Sequence, residues 1–211
     1  DLIDCIYFSG LAGSGLRALD GTDRFGFRGN INLLPEESND IQLSALFKKN
    51  DHSSYKFDIF DTQISNLIEY DMDANKMQNI GRASMKGMQI GYQYTDDIYV
   101  FRADVINQRA KNDITNSDLL RRADQSLTLN ISRKFNENIF GLSLLASGER
   151  KDFGVTLPGY AIVNLTAKLK VTSNLSINAQ IENITDKDYQ TASNYRMQGA
   201  SVFIDLTYNW Q

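Results

Sequence analysis

Residues 160–182 read YAIVNLTAKLKVTSNLSINAQIE, and they decide the fold class of the chain. Apolar and polar side chains alternate on both sides of the short Val-Thr-Ser-Asn segment at 171–174. Alternation at period two is the pattern of a β-strand that has one apolar and one polar face. The stretch therefore predicts two antiparallel strands joined by a tight turn.

The same alternation recurs along the chain and predicts about ten strands in all. Only two prolines interrupt the sequence, while asparagine, aspartate and glycine separate the alternating segments. Further apolar stripes lie at residues 41–47, 55–59, 88–94, 99–105, 127–131, 140–144 and 202–210, with a less regular strand near residues 2–8. Helical periodicity is hard to find. The prediction is an all-β, antiparallel structure.

The connections between the predicted strands alternate between short and long. Short ones lie near 49–53, 95–97, 134–137 and 172–174, and long ones at 9–40, 69–78, 110–120, 149–159 and 185–198. Outer-membrane barrels have short periplasmic turns and long extracellular loops. If the last strand ends in the periplasm, every long connection lies outside. Because a soluble sandwich would scatter its loop lengths over both ends, the pattern favours a transmembrane β-barrel.

Composition and charge exclude several other classes of protein. A net charge of −4 gives no electrostatic footprint for nucleic acid, so no nucleic-acid partner is expected. One cysteine, Cys5, and one histidine, His52, leave no residues for a disulfide, a zinc site or Ser-His-Asp catalysis. A soluble β-sheet enzyme or carbohydrate-binding module would need paired carboxylates or a metal site, and adjacent strand positions offer neither. We expect no enzyme activity and no cofactor.

Five short motifs follow one another in the sequence. The most specific is ENITDKDY at 182–189, whose characteristic positions are Glu182, Asn183, Asp186 and Tyr189. GNINLLPEES at 29–38 supplies Asn30, Asn32, Leu33, Pro35 and Glu36. The others are LIEY at 67–70 with NIGRA at 79–83, LPGY at 157–160, and the closing stretch at 199–208. Taken in the order in which they stand along the chain, the five motifs resemble the C-terminal barrel of TonB-dependent outer-membrane receptors.

Two segments depart from the pattern of that family. FSGLAGSGL at 8–16 stands where the family usually reads S-G-F-R-A-P-x-L, so the first 24 residues match poorly. The chain ends on Gln211, whereas such barrels usually finish on an aromatic residue. Tyr208 and Trp210 keep the apolar stripe in phase, and the resemblance makes them the residues of the C-terminal assembly strand.

The resemblance implies a plugged barrel of roughly 22 strands in the bacterial outer membrane. Residues 1–211 would be the C-terminal portion of that barrel domain, because the chain has no initiator Met and supplies about ten strands. The plug, the first strands and the region that contacts the TonB complex would be absent from it. The implied function is import of a metal chelate, a ferric siderophore or cobalamin, with outer-membrane lipid as a further partner. The alternative is a passive pore or a non-transporting barrel remnant.

Ligand-binding residues do not follow from the motifs, so candidates are chosen by their chemistry. Arg121 and Arg122 close one long connection, and Tyr195 and Arg196 lie in another. Arginine and tyrosine together suit an anionic, aromatic ferric catecholate. The competing interpretation is that they are solvated or pair with nearby aspartates, namely Asp118, Asp124 or Asp188.

Two further groups of charged residues have simpler interpretations. Glu69, Asp71 and Asp73 could offer oxygen ligands to calcium, but their spacing is not that of an EF-hand, and a solvated acidic loop explains them better. Charged residues inside the predicted strands would be costly toward lipid and are expected to face a watery interior. They are Arg102, Asp104, Lys168, Lys170 and Glu182.

Overall fold

The computed structural model describes residues 5–210. Its strands are β1 (Cys5–Arg17), β2 (Glu36–Lys48), β3 (Ser53–Ser65), β4 (Ile68–Asp71), β5 (Lys76–Asn79), β6 (Arg82–Thr95), β7 (Tyr99–Asn112), β8 (Gln125–Phe135), β9 (Asn138–Ser147), β10 (Arg150–Asp152), β11 (Val155–Leu157), β12 (Tyr160–Lys170), β13 (Leu175–Glu182), β14 (Gln190–Ala192), β15 (Tyr195–Arg196) and β16 (Ser201–Tyr208). A short helix, α1, spans Gly21–Phe25. Within residues 5–210, no helix has the length and apolar character needed to cross a membrane.

Ten of the strands form one antiparallel sheet in the order β1-β2-β3-β6-β7-β8-β9-β12-β13-β16. The hairpin predicted from the opening stretch is β12–β13, which pairs from Leu165↔Ile181 to Lys170↔Ser176. The all-β architecture and the number of strands are therefore confirmed. Strands β1 and β16 are the two edges of this sheet.

One face of the sheet is apolar and the other is polar, because the register keeps the alternation in phase from strand to strand. On the apolar face, Ile90 of β6 lies between Phe57 and Val105, and all three side chains are exposed. On the polar face, the preceding residue Gln89 lies beside Asp58, which is only 2 % exposed. Apolar side chains that point outward from a sheet with a polar interior are the arrangement of a membrane barrel.

The polar face forms internal hydrogen bonds across neighbouring strands. Asp58 accepts hydrogen bonds from the side chains of Ser44 and Gln42, and its carboxylate lies 3.0 Å from Lys56 Nζ. The register places the charged strand residues on this same face, as expected for an aqueous interior: Arg102, Asp104, Lys168, Lys170 and Glu182.

All long connections lie at one end of the sheet and all short ones at the other, as predicted. The short end holds the β2–β3, β6–β7, β8–β9 and β12–β13 turns. The long connections are more structured than expected, because they contain α1 and the hairpins β4–β5, β10–β11 and β14–β15.

The predicted extent of the first strand is wrong. Residues 2–4 of that prediction lie outside the described residues, and β1 continues to Arg17 where a loop was expected from residue 9. It pairs with β2 along its whole length, from Cys5↔Lys48 to Arg17↔Glu36. Backbone pairing needs no side chain, and a Cβ at Gly15 would lie only 2.8 Å from Ser38 Oγ. Small residues fit this strand but hide its alternation in the sequence.

Candidate functional site

Three long connections meet at Asp152, the last residue of β10, which is 2 % exposed. Its Oδ1 accepts hydrogen bonds from Arg121 Nε at 3.0 Å and from the Phe153 amide at 3.0 Å. Its Oδ2 accepts a hydrogen bond from the Ser193 amide at 2.6 Å. Arg121 belongs to the β7–β8 connection and Ser193 to the β13–β16 connection. We call Asp152, Arg121, Phe153 and Ser193 the loop junction.

The ionised form of Asp152 suits this junction. Burial alone raises the pKa of the carboxyl, but the hydrogen bonds from Ser193, Phe153 and Arg121 outweigh burial and leave the pKa below its usual value. The negative charge therefore persists at neutral pH and holds three donors from three segments. The loop junction fixes the relative positions of these three long connections, β7–β8, β9–β12 and β13–β16.

Arg150, two residues before Asp152, is 8 % exposed. Its Nη2 donates a hydrogen bond to Ser147 Oγ at 2.8 Å, and its guanidinium carbon lies 5.0 Å from the centroid of the Tyr160 ring. The Tyr160 ring lies 4.3 Å from that of Tyr189, centroid to centroid. We call Arg150, Tyr160 and Tyr189 the arginine–tyrosine cluster. It lies at the end of the sheet that carries the long connections.

Asp118, Asp124 and Glu149 line the same open cavity as Arg150, but in the part of the chain that the structure describes none of them forms a direct ion pair with it. Within residues 5–210 its guanidinium forms no ion pair, and its buried Nε has no hydrogen-bond partner. Tyr160 pairs in register with Ser147 on the polar face, so the cluster faces the interior side of the sheet. An unpaired, largely desolvated guanidinium beside aromatic rings is suited to hold an anionic group that has a flat, polarisable part.

Burial of Tyr189, together with the nearby Tyr160 and Glu182, raises the pKa of its hydroxyl. Tyr189 therefore stays protonated at neutral pH and can donate a hydrogen bond. Neither Arg150 nor Tyr160 was among the residues chosen from the sequence. The available signal was that two motifs, LPGY and ENITDKDY, each end on a tyrosine, and these two tyrosines are the ones whose rings pack against each other.

The residues chosen from the sequence occupy three different settings. Arg121 lies in the loop junction, where its guanidinium forms an ion pair with Asp152. Arg196 pairs with Asp188 at 3.0 Å on the surface, with both side chains more than 60 % exposed, and the neighbouring Tyr195 is 70 % exposed. Arg122 lines an open cavity of about 270 Å³ together with Arg150, Lys151 and three acidic residues, Asp118, Asp124 and Glu149. The structure does not bring these four candidates around one common space.

Asn183 of the ENITDKDY motif organises the last long connection. Its side chain is 2 % exposed; Nδ2 donates to the carbonyls of Lys187 and Gln198, and Oδ1 accepts from the Lys187 amide. Asn183 has a φ of 47°, in the left-handed region that asparagine tolerates. Asp186 Oδ1 accepts a hydrogen bond from the Ala200 amide. These motif residues close on itself the connection that contains Tyr189.

The GNINLLPEES motif docks the first long connection onto the β4–β5 hairpin. Asn30 Nδ2 donates to the Met77 carbonyl, and Leu34 exchanges two hydrogen bonds with the side chain of Asn79. Glu36 accepts a hydrogen bond from the Ile68 amide and lies 3.3 Å from Arg17. Leu33 is buried beside them at 4 % exposure. The conformation of this connection is set by contacts to another loop.

Among the acidic residues of the β4–β5 hairpin, Asp71 forms its hydrogen bonds within the hairpin itself. Asp71 accepts hydrogen bonds from the amides of Asp73 and Ala74 and from the side chain of Gln78. Within the described range 5–210, no group of three or more His, Cys, Asp or Glu residues has a metal-binding arrangement. Burial raises the pKa of Glu69, and nearby Arg122 opposes that rise. The contacts around Asp71 are those of a turn.

Comparison with known proteins gives a consistent set of matches. A family model described as TonB dependent receptor-like β-barrel matches residues 6–184. The vitamin B12 transporter BtuB of Vibrio cholerae serotype O1 is 28 % identical over 195 residues, which cover 86 % of this chain and 31 % of that protein. The chain thus spans about a third of the length of the curated relatives it matches.

Solved structures share the fold at low sequence identity. The copper transporter OprC superposes with a TM-score of 0.80 at 14 % identity, over 99 % of this chain and 37 % of that one. The FrpB iron transporter from Neisseria meningitidis gives a TM-score of 0.72 at 13 % identity, over 96 % and 37 %. A complex of FpvA from P. aeruginosa with a ferric pyoverdine gives 0.74 at 16 %, over 99 % and 31 %. Identities this low establish the fold alone.

Proposed function

The chain belongs to the TonB-dependent receptor family, and from that membership we propose that it is part of an outer-membrane importer of metal chelates. Its location is the outer membrane, and its ten-stranded sheet is part of a β-barrel. We propose further that residues 1–211 are the C-terminal portion of that barrel domain. The plug, the remaining strands and the segment that contacts the TonB complex would then belong to other parts of a longer polypeptide.

The observation that supports import best is the arginine–tyrosine cluster. It places a buried guanidinium without an ion pair, and two tyrosine rings in contact with each other, on the interior face at the end where the long connections lie. In the proposed orientation this is the extracellular mouth of the barrel, where a chelate arrives. Arg150 would bind an anionic group of the chelate, and the rings would pack against its flat parts. Since the matched relatives are transporters, we propose no catalytic step.

Two classes of chelate are each favoured by one observation. The charge and aromatic character of the cluster favour an anionic ferric siderophore. The sequence relative that is named a vitamin B12 transporter favours cobalamin. We test both classes of chelate in the same experiment, because the long connections contain no motif that selects between them.

Uptake by cells tests the proposal. Cells that lack the gene are complemented with the full-length receptor, and accumulation of radiolabelled ferric catecholates and cobalamin is measured with and without TonB. We expect TonB-dependent uptake of one class. Because a charged contact of this kind contributes on the order of 1.5–3 kcal/mol, Arg150→Gln should lower the uptake rate at limiting chelate about tenfold or more.

The control is Arg133→Gln, which removes a guanidinium from the apolar face near the short-turn end, 5.5 Å from the Tyr99 ring and away from the mouth, and should leave uptake unchanged. Arg150→Lys keeps the positive charge and should retain part of the activity. Uptake that persists without TonB would support the alternative, a passive pore. Absence of uptake with either chelate, from a receptor present at normal levels, would contradict the import proposal.

A further inference from the structure

Three cationic side chains lie together on the apolar face of the sheet, outside the arginine–tyrosine cluster. Lys86 of β6 and Arg109 of β7 are register partners, and Lys111 is the partner of Ser84. The alternation places all three on the same face as Ile90 and Val105. We call Lys86, Arg109 and Lys111 the outer basic patch.

The outer basic patch lies at the upper boundary of the apolar face. Toward the short-turn end, the next residue of β6 on the same face as Lys86 is Met88. It pairs with Ile59, and both belong to the apolar part of that face. In the opposite direction β7 ends at Asn112, where the long β7–β8 connection begins. Cations that point outward are costly at hydrocarbon depth and stable among lipid headgroups. The patch is therefore at the level of the headgroups of the outer leaflet.

The patch retains positive charge after its local contacts are counted. Lys86 Nζ lies 2.9 Å from Asp61, and Lys111 Nζ donates to the side-chain amide oxygen of Asn116. Asp113 accepts a hydrogen bond from Ser84. Arg109 is exposed and, within residues 5–210, forms no ion pair. Three cations face two carboxylates, which leaves one net positive charge centred on Arg109.

The surroundings of the patch have the amphipathic shape of a lipid site. Lys86, Arg109 and Lys111 line one open depression of about 750 Å³, whose wall also includes Met88 and Ile59. The cations lie toward the loops and the apolar side chains toward the membrane interior. A molecule that fits this depression carries a phosphate above and hydrocarbon below.

We propose that the outer basic patch binds the phosphate of an anionic glycolipid in the outer leaflet. The guanidinium of Arg109 accepts the phosphate through paired hydrogen bonds, and Lys111 and Lys86 add charge. An acyl chain of the same lipid packs along Met88 and Ile59. The inference rests on the outer-membrane location of the barrel and is independent of which chelate the receptor imports.

Lipid binding to the full-length receptor in detergent tests the proposal. The probes are lipid A with two phosphates, the same lipid after enzymatic removal of its phosphates, and inorganic phosphate. We expect the phosphorylated lipid to bind at least about tenfold more tightly than the dephosphorylated lipid. The double variant Arg109→Gln/Lys111→Gln should abolish that preference.

The control is Arg133→Gln, because Arg133 lies on the same face near the short-turn end, with its guanidinium 5.5 Å from the Tyr99 ring. This variant should keep the preference. An unchanged migration of unheated receptor on detergent gels establishes that each variant is folded. The proposal is overturned if the double variant binds lipid A like wild type, or if Arg133→Gln loses as much affinity. Complete displacement of lipid A by millimolar inorganic phosphate would also overturn it, because the site would then take a free anion.

Discussion

Replacing Ile90 by arginine is expected to destabilise the full-length receptor in a lipid bilayer by about 2–4 kcal/mol. Ile90 is 51 % exposed and lies in the middle of the apolar band, between Phe57 and Val105. An arginine there would point into hydrocarbon. Urea unfolding of the receptor in phosphatidylcholine vesicles measures the loss, and the amount of folded protein in outer membranes should fall with it.

Gln89→Arg is the matched control, because Gln89 is adjacent in the same strand and on the opposite face. Its side chain donates to Asp104 at 3.0 Å and lies beside Asp58, so an arginine there gains two carboxylate neighbours. We expect stability within about 1 kcal/mol of wild type. Equal destabilisation by both variants would contradict the assignment of the apolar face to lipid.

Removal of the Asp152 carboxylate is expected to loosen three long connections at once. Asp152→Ala leaves two partly buried amides, those of Phe153 and Ser193, without their acceptor, and each such hydrogen bond to a charged group contributes on the order of 1.5–3 kcal/mol. The half-exposed Arg121 adds less, because solvent screens it. A loss of about 3 kcal/mol in the local free energy of opening predicts amide exchange about 100-fold faster at Ser193. Hydrogen exchange of the full-length receptor with peptide resolution measures it.

Asp188→Ala provides the comparison, since the Asp188–Arg196 pair lies on the surface and its loss should change exchange very little. Lowering the pH provides a second test of the loop junction, in the wild-type receptor. The folded pKa of Asp152 is lowered, so its stabilisation is fully present above the unfolded pKa of about 4 and is lost as pH falls through the lower folded value. After correction for intrinsic exchange, protection at Ser193 should be constant from about pH 7 to 5 and decline below about pH 4. If Asp152→Ala exchanges like wild type, the loop junction is not what fixes these connections.

The sequence predicted the ten-stranded sheet because water on one face and lipid on the other impose alternation on each strand. Residues 160–182 carry that alternation clearly, and β12 and β13 follow it. In β1 glycines stand on both faces, Gly10 on the apolar face and Gly13 and Gly15 on the polar face, so the alternation is obscured and only the pairing with β2 reveals the strand. The strands of the short hairpins inside the long connections have only two to four residues, which is too short for alternation at period two to identify them.

The loop junction and the arginine–tyrosine cluster could not be predicted in the same way, because their partners are distant in sequence. Asp152 binds donors that are 31 and 41 residues away, and the importance of Arg150 depends on the placement of Tyr160 and Tyr189. When ligand-binding candidates are chosen by residue type alone, Arg121 is selected, although its charge is already paired with Asp152. Local pattern identifies strands, whereas the polar contacts among loops are set by the folded arrangement.

The intact mass of the native polypeptide that contains this sequence tests the central claim most directly. It is measured on outer-membrane fractions, with identification through peptides of β13 and β16. Because the chain corresponds to 31 % of its curated relative, we predict a mass about three times the 23.8 kDa of this sequence, with a plug domain in the additional portion. A 23.8 kDa outer-membrane polypeptide would contradict the claim that this sheet is the C-terminal portion of a larger importing barrel.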